Sequence, residues 1–283
     1  MEILTILLSG LVGLLSPLGL LVEGVAEGAI RSQFQSVEQV GIRVDNAPSY
    51  QIVQGKADRV FLALRGAFPL QDLRIAVLDV ETDPVDLALG QGKPKLNRPF
   101  QAGIRLVLAQ ADLNRALQSS EIASQFRNIV INLPNVPQAQ QIQRYDLLNP
   151  RLTVLENNRL RLQVDLQEQK RPDRLPLMVE FGLQALTARR LKLVEPVILI
   201  GGEPAPPDLL ANFTKGINDQ LDLQNLEKLG ITIRVLKLAM TPEQQVEIAI
   251  FMRIETSSPL LTAGFQPQLP SPLAYPTLSQ GEF

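Results

Sequence analysis

The 283-residue chain contains no histidine, no cysteine and no tryptophan. Without histidine, neither a Ser-His-Asp triad nor a Cys-His pair can form. Without histidine and cysteine the usual zinc ligands are missing, as are the thiolates of iron–sulfur clusters and the His or Cys ligands of haem. Disulfides are impossible, so cysteine usage carries no information on the redox compartment. Aromatic residues make up only 5% of the chain, which leaves an aliphatic core. Carboxylates, Lys, Arg, hydroxyls and the backbone remain as chemical groups. No catalytic residue, metal ligand or cofactor site emerges from them.

Basic residues are absent from both ends, none preceding Arg31 or following Arg253. Glu2, Glu23, Glu27, Glu255 and Glu282 lie outside that span, leaving 24 acidic against 27 basic residues inside it. A phosphate-backbone binder needs a basic excess on one face. The balance argues against nucleic acid as a partner.

Three zones follow. Residues 1–22 form an apolar signal or anchor segment; Ile3 to Val22 carries no charge. Ile6, Leu7, Leu8, Leu11, Leu14, Leu15, Leu18, Leu20 and Leu21 are its membrane-facing candidates, since about 20 apolar residues span a bilayer as a helix. The region before the run lacks Lys or Arg, against the usual secretory pattern, and Gly24-Val25-Ala26 is a weak cleavage site. Residues 23–256 form the folded domain. It opens with an amphipathic helix whose apolar face runs through Val22, Val25, Ala26, Ala29, Ile30, Phe34 and Val37. Residues 257–283 hold five prolines and one charge, Glu282, and read as a disordered tail with a PxxP stretch that could engage a protein partner.

The middle of the domain has period two. Leu160, Leu162, Val164 and Leu166 alternate with Arg161, Gln163, Asp165 and Gln167, and the same period of two runs through Ile104, Leu106 and Leu108 and from Val246 to Ile254. Such strands have one apolar and one wet face, the signature of antiparallel sheet. Further strands are predicted near Arg59–Arg65, Leu73–Glu81 and Asn128–Leu133, with two more in Pro176–Ile200. A phase slip between Val235 and Leu236 predicts a bulge. Helices are few. One starts at Asp112 as N-cap, and one runs from about Pro207 to Leu221.

Several motifs carry weak chemistry. Asp79, Glu81, Asp83 and Asp86 could hold calcium, but Pro84 and Gly90 stand where the calcium loop requires Gly and Glu. Paired carboxylates for a hydrolase remain open, with nothing to select a pair. Gly90-Gln91-Gly92-Lys93 reads as a hairpin loop rather than a phosphate loop. Lys170-Arg171-Arg174 and Arg189-Arg190-Lys192 are basic clusters, solvated or facing lipid headgroups.

Three stretches resemble a known family: Val44–Val60, Leu73–Leu87 and Ile104–Leu117. The matching residues are Pro48, then Gly55, Asp58 and Val60, then Asp112, Leu113 and Asn114. They resemble the LmeA-like phospholipid-binding proteins of bacteria, over roughly residues 20 to 255 and most clearly before Leu117. The resemblance implies an α+β, TULIP-like fold in which a long N-terminal helix is cradled by a strongly curved antiparallel sheet. It implies a non-enzymatic role on the extracytoplasmic side of the cell envelope, with phospholipid or glycolipid as partner. An incompletely wrapped sheet would leave an apolar groove for acyl chains. The expected contacts are the apolar strand positions Val60, Leu62, Leu64, Ile104, Leu106, Leu108, Leu160, Leu162, Val164 and Leu166. A structural domain with a filled core is the alternative, and a carboxylate hydrolase a remote one.

Overall fold

Alternating apolar and polar residues build two large antiparallel sheets. They are seen in a computed structural model that describes residues 28, 31, 34–88, 95–130, 144–169 and 171–259. The first sheet has the order β1-β3-β4-β7-β15-β14. Its strands are β1 Ser36–Asp45, β3 Arg59–Leu70, β4 Leu73–Thr82, β7 Phe100–Ala109, β14 Ile231–Thr241 and β15 Gln245–Ile254. The second has the order β13-β12-β11-β10-β9-β8. It contains β8 Ile129–Val130, β9 Arg144–Leu155, β10 Arg159–Glu168, β11 Arg174–Thr187, β12 Arg190–Ile200 and β13 Glu203–Pro204. Three short strands, β2 Lys56–Ala57, β5 Val85–Ala88 and β6 Lys95–Leu96, form a small third sheet at one end of the first.

Local chemistry explains the turns. Asn157 and Asn158 adopt φ of 58° and 56° between β9 and β10, the left-handed pair that a tight hairpin requires and that Asn tolerates. The bulge expected in β14 is present: the register to β15 shifts between Val235 and Lys237, leaving Leu236 as the extra residue.

The helical elements are short. Helix α1 spans Gln110–Gln118, α2 Ser120–Ala123 and α3 Pro207–Gln220. Two 3₁₀ segments matter below, η1 at Ser49–Gln54 and η2 at Leu223–Leu229. Helix α1 lies along the outer edge of β9, which pairs with β8 only at Arg144 and Tyr145. Beyond that point Asn114 replaces a strand. Its Nδ2 donates to the Leu152 carbonyl at 2.8 Å and its Oδ1 accepts from the Leu152 N–H at 2.7 Å. Gln110 Oε1 accepts from the Val154 N–H at 2.6 Å.

The architecture corrects the sequence-based expectation. A long helix cradled by one strongly curved sheet is not what organises this fold. Strand dominates, it is divided between two large sheets, and neither is strongly curled. The physical reason lies in how apolar faces are covered. Leu223 and Leu226 of η2, Ile52 of η1, Leu113 of α1, and Val85 and Leu87 of β5 all pack on the first sheet's core. Many short elements do what one helix was expected to do. Val37 also moves: it belongs to β1 and not to the helix face predicted to end there. Asp112 is not an N-cap; the helix begins at Gln110, and Asp112 is buried in its first turn against Arg74 at 3.1 Å. The anchor segment, most of the following amphipathic stretch, the Gly90–Lys93 loop and the tail beyond Pro259 lie outside the described residues. No described helix is long and apolar enough to cross a membrane.

Candidate functional site

The expected contact residues fall on two different faces. On the first sheet, register sets Ile42, Leu62, Val80, Ile104, Ile250 and Val235 in one row across all six strands. This face is the main core. Val60, Leu62, Leu64, Ile104 and Leu108 are all buried there, and Leu64 is fully so. Leu106 is half-buried against the same cluster. These six pack within the first sheet's core, and Leu62 and Ile104 also line a concavity on that sheet.

The second sheet is different. Near the β9–β10 turn, Val154 and Leu160 share a core with Leu113 of α1 and with Leu238, Met240, Val246 and Ile248 of the first sheet. Along the strands away from that contact, three apolar rows follow. They are Leu152, Leu162, Val179 and Ile198; then Val164, Leu177 and Ile200; then Leu147, Leu166 and Leu175. Cover thins along this path. Val164, Val179 and Ile198 are buried, Leu162 and Leu166 half-buried, and Leu175 is 43% exposed. From Leu160 to Leu166 the strip runs about 20 Å at the usual strand rise. One leaflet of a bilayer's hydrocarbon is about 15 Å thick, so the strip has the length of an acyl chain.

Two concavities accompany these faces. The larger, about 700 Å³, lies on the outer face of the first sheet. Gly41, Ala63, Gly103 and Ala249 supply small residues among its lining, and Phe61 stacks under the Arg43 guanidinium at 4.1 Å. Its charges neutralise one another: Arg65 to Asp79 at 2.6 Å, Arg105 to Asp79 at 3.3 Å, and Arg105 to Glu247 at 2.7 Å. Lys237 and then Arg105 hold the Glu247 carboxyl below the usual range. The smaller, about 500 Å³, is lined by Arg127, Leu147, Leu148, Asn149 and Arg151 beside α2.

Two of the four acidic candidates are paired with cations. Asp79 faces Arg65 and Arg105, Glu81 faces Arg59 at 3.2 Å, and Asp86 accepts a hydrogen bond from Asn97. Among the described residues no three carboxylates converge as a metal cage. The basic clusters are likewise partly spent. Arg171 pairs with Glu168, Arg189 with Glu227 and Arg190 with Asp222.

The motif residues do structural work that sequence reasoning did not assign. Gly55 closes η1 at φ 82°, a conformation that favours glycine. Asp58 Oδ2 accepts from the Ala47 N–H at 2.8 Å and ties the loop before Pro48 to the strand after it. Asp112 joins α1 to β4 through Arg74, and Asn114 joins α1 to β9. Side-chain bonds of this kind, between residues 11 to 38 apart, leave no periodic signal in a sequence.

The family described as LmeA-like phospholipid-binding matches residues 14–246. The chain belongs to that family. The match carries the likeness beyond Leu117, through the whole second sheet and into β15. No curated protein and no solved structure matches the chain. Family membership makes a phospholipid the ligand class to be accommodated. Of the motif residues, Pro48, Gly55, Asp58, Asp112 and Asn114 sit at loop and helix junctions, Val60 is buried in β3, and Leu113 packs beside Val154 and Leu160 at the start of the strip.

Proposed function

We propose that the protein is a membrane-associated phospholipid-binding protein without catalytic activity. It works on the extracytoplasmic side of a bacterial envelope, where its N-terminal apolar segment tethers it. It holds acyl chains along the second sheet, over Leu162, Val164 and Leu166. The observation that carries this reading is the thinning of cover along that strip in a member of a phospholipid-binding family. Apolar surface of this length is favourable to remove from water, at roughly 25 cal/mol per Å² buried. The strip's chemistry suits hydrocarbon and supplies nothing reactive.

The test is lipid extraction and native mass spectrometry of the purified full chain, with Leu162→Asp and Leu166→Asp alongside. Wild-type protein should carry phospholipid. Both variants should lose it while keeping their strand circular dichroism. Protein that carries no lipid and takes none from liposomes would refute the reading and favour a structural domain.

A further inference from the structure

The first sheet ends in an exposed apolar tip. Segment η1 spans Ser49–Gln54, and a 3₁₀ helix has three residues per turn, so Tyr50 and Val53 project on the same side. They are 64% and 81% exposed, and Val53 exceeds every other exposed large hydrophobic among the described residues. Ile52 between them turns inward and packs on the main core. The loop is tied at its base. Asp58 accepts from Ala47, Asn46 Nδ2 donates to the Lys56 carbonyl at 3.3 Å, and the Gly55 carbonyl accepts from the Leu87 N–H at 2.9 Å. The pair is therefore held out in water by a fixed frame.

The surroundings point to a particular partner. Register places the ends of β1, β4 and β15 and the starts of β3, β7 and β14 at this same end of the sheet. There η2 adds Leu229, 41% exposed, next to Lys228. Lys56, Lys95, Arg98 and Lys228 are exposed, and none forms an ion pair among the described residues. By contrast Arg43, Arg59, Arg189 and Arg253 nearby are matched to Asp45, Glu81, Glu227 and Glu255. Asp58, Asp83 and Asp86 also stand at this end; Asp58 and Asp86 accept hydrogen bonds from neutral donors and keep their charge, so the unpaired groups leave only a small basic excess.

We infer that this tip docks on a phospholipid bilayer, with Tyr50 and Val53 seated in the interfacial layer and Lys56, Lys95, Arg98 and Lys228 among the headgroups. A tyrosine presents an apolar body and a polar end, which suits that layer. A free Lys or Arg near an anionic surface strengthens binding about five-fold. The inference rests on the phospholipid-binding reading and adds where the protein meets the membrane. The chain enters β1 at Ser36, at the opposite end of that strand from Asp45. The ten residues from Ser36 to Asp45 span about 30 Å.

The chain has no tryptophan, so Val53→Trp installs a single fluorescent reporter. Leu236→Trp, at a bulge 66% exposed and away from the tip, controls for insertion driven by tryptophan itself. Full-length protein is mixed with vesicles of phosphatidylcholine, with and without phosphatidylglycerol. Tryptophan emission from the Val53→Trp variant should shift to the blue and be quenched by brominated lipid, while emission from the Leu236→Trp variant should stay water-like. Water-like emission from the Val53→Trp variant bound to vesicles would overturn the inference, as would an equal shift from the control. Lipid extracted from the same samples separates the two ideas. Bound lipid with a water-like tip refutes the tip alone; a shifted tip without bound lipid supports the tip and refutes the acyl-chain site.

Discussion

Asn114→Ala is expected to loosen the joint between helix α1 and the second sheet. The Asn114 amide makes two hydrogen bonds to Leu152, at 2.8 and 2.7 Å, on the outer edge of β9, where no second strand pairs with it. Each such bond contributes about 1 kcal/mol net, and a half-buried backbone group left unpaired adds to the cost. The expected loss is about 2–3 kcal/mol. For a chain of this size that lowers the melting temperature by about 4–10 °C. Urea unfolding followed by far-ultraviolet circular dichroism measures it directly. Gln110→Ala removes one bond to Val154 and should cost about 1 kcal/mol. The double variant should cost less than the sum, because both side chains fix the same helix to the same strand. An Asn114→Ala midpoint within about 0.5 kcal/mol of wild type would refute the reasoning.

Two further outcomes follow from the same geometry. Leu64 of β3 is fully buried in the first sheet's core, so Leu64→Ala should cost about 2–5 kcal/mol in urea unfolding, and a loss under about 1 kcal/mol would show the core had been misread. Glu180 is held below its ordinary value of 4.5 by Arg161 and Arg159, and Glu247 by Lys237 and Arg105. Their folded-state pKa is depressed, so the stabilisation is present above about 4.5 and is lost as pH falls through the folded value. Melting temperature should fall below that pH, and Glu247→Gln should flatten the fall; an unchanged slope would count against the ion-pair account.

Much of this fold was legible because burial on one face of a strand writes itself as alternation. Leu160 to Leu166 alternates and is strand β10, and the slip at Leu236 is a bulge. Pro207 opens a helix, as its fixed φ favours. The division into two sheets was not legible. Alternation reports that a face is apolar, and not what covers it. Val60, Leu64, Leu162 and Leu166 have the same pattern, yet the first two are core and the last two lie on the thinly covered strip. The Tyr50 and Val53 tip was missed for a related reason. Tyr50-Gln51-Ile52-Val53 reads as ordinary apolar sequence, and only the 3₁₀ geometry sorts Ile52 inward and its neighbours outward.

The connectivity of the first sheet sets an order of events. Its inner strands β7 and β15 meet across most of the domain; Arg105 and Glu247, which bridge them, are 142 residues apart. The second sheet is made of consecutive hairpins, β9 to β10 to β11 to β12. Local pairings close at small entropic cost and distant ones wait. As the chain emerges, the second sheet can assemble while β7 still exposes an unpaired edge, open until the final strand arrives. Pulse-labelled hydrogen exchange should find amides of β10 protected before those of β15, and simultaneous protection would overturn that order. Such an edge is a template for association with other chains. Truncation before Gln245 should therefore yield aggregation in place of a smaller folded protein.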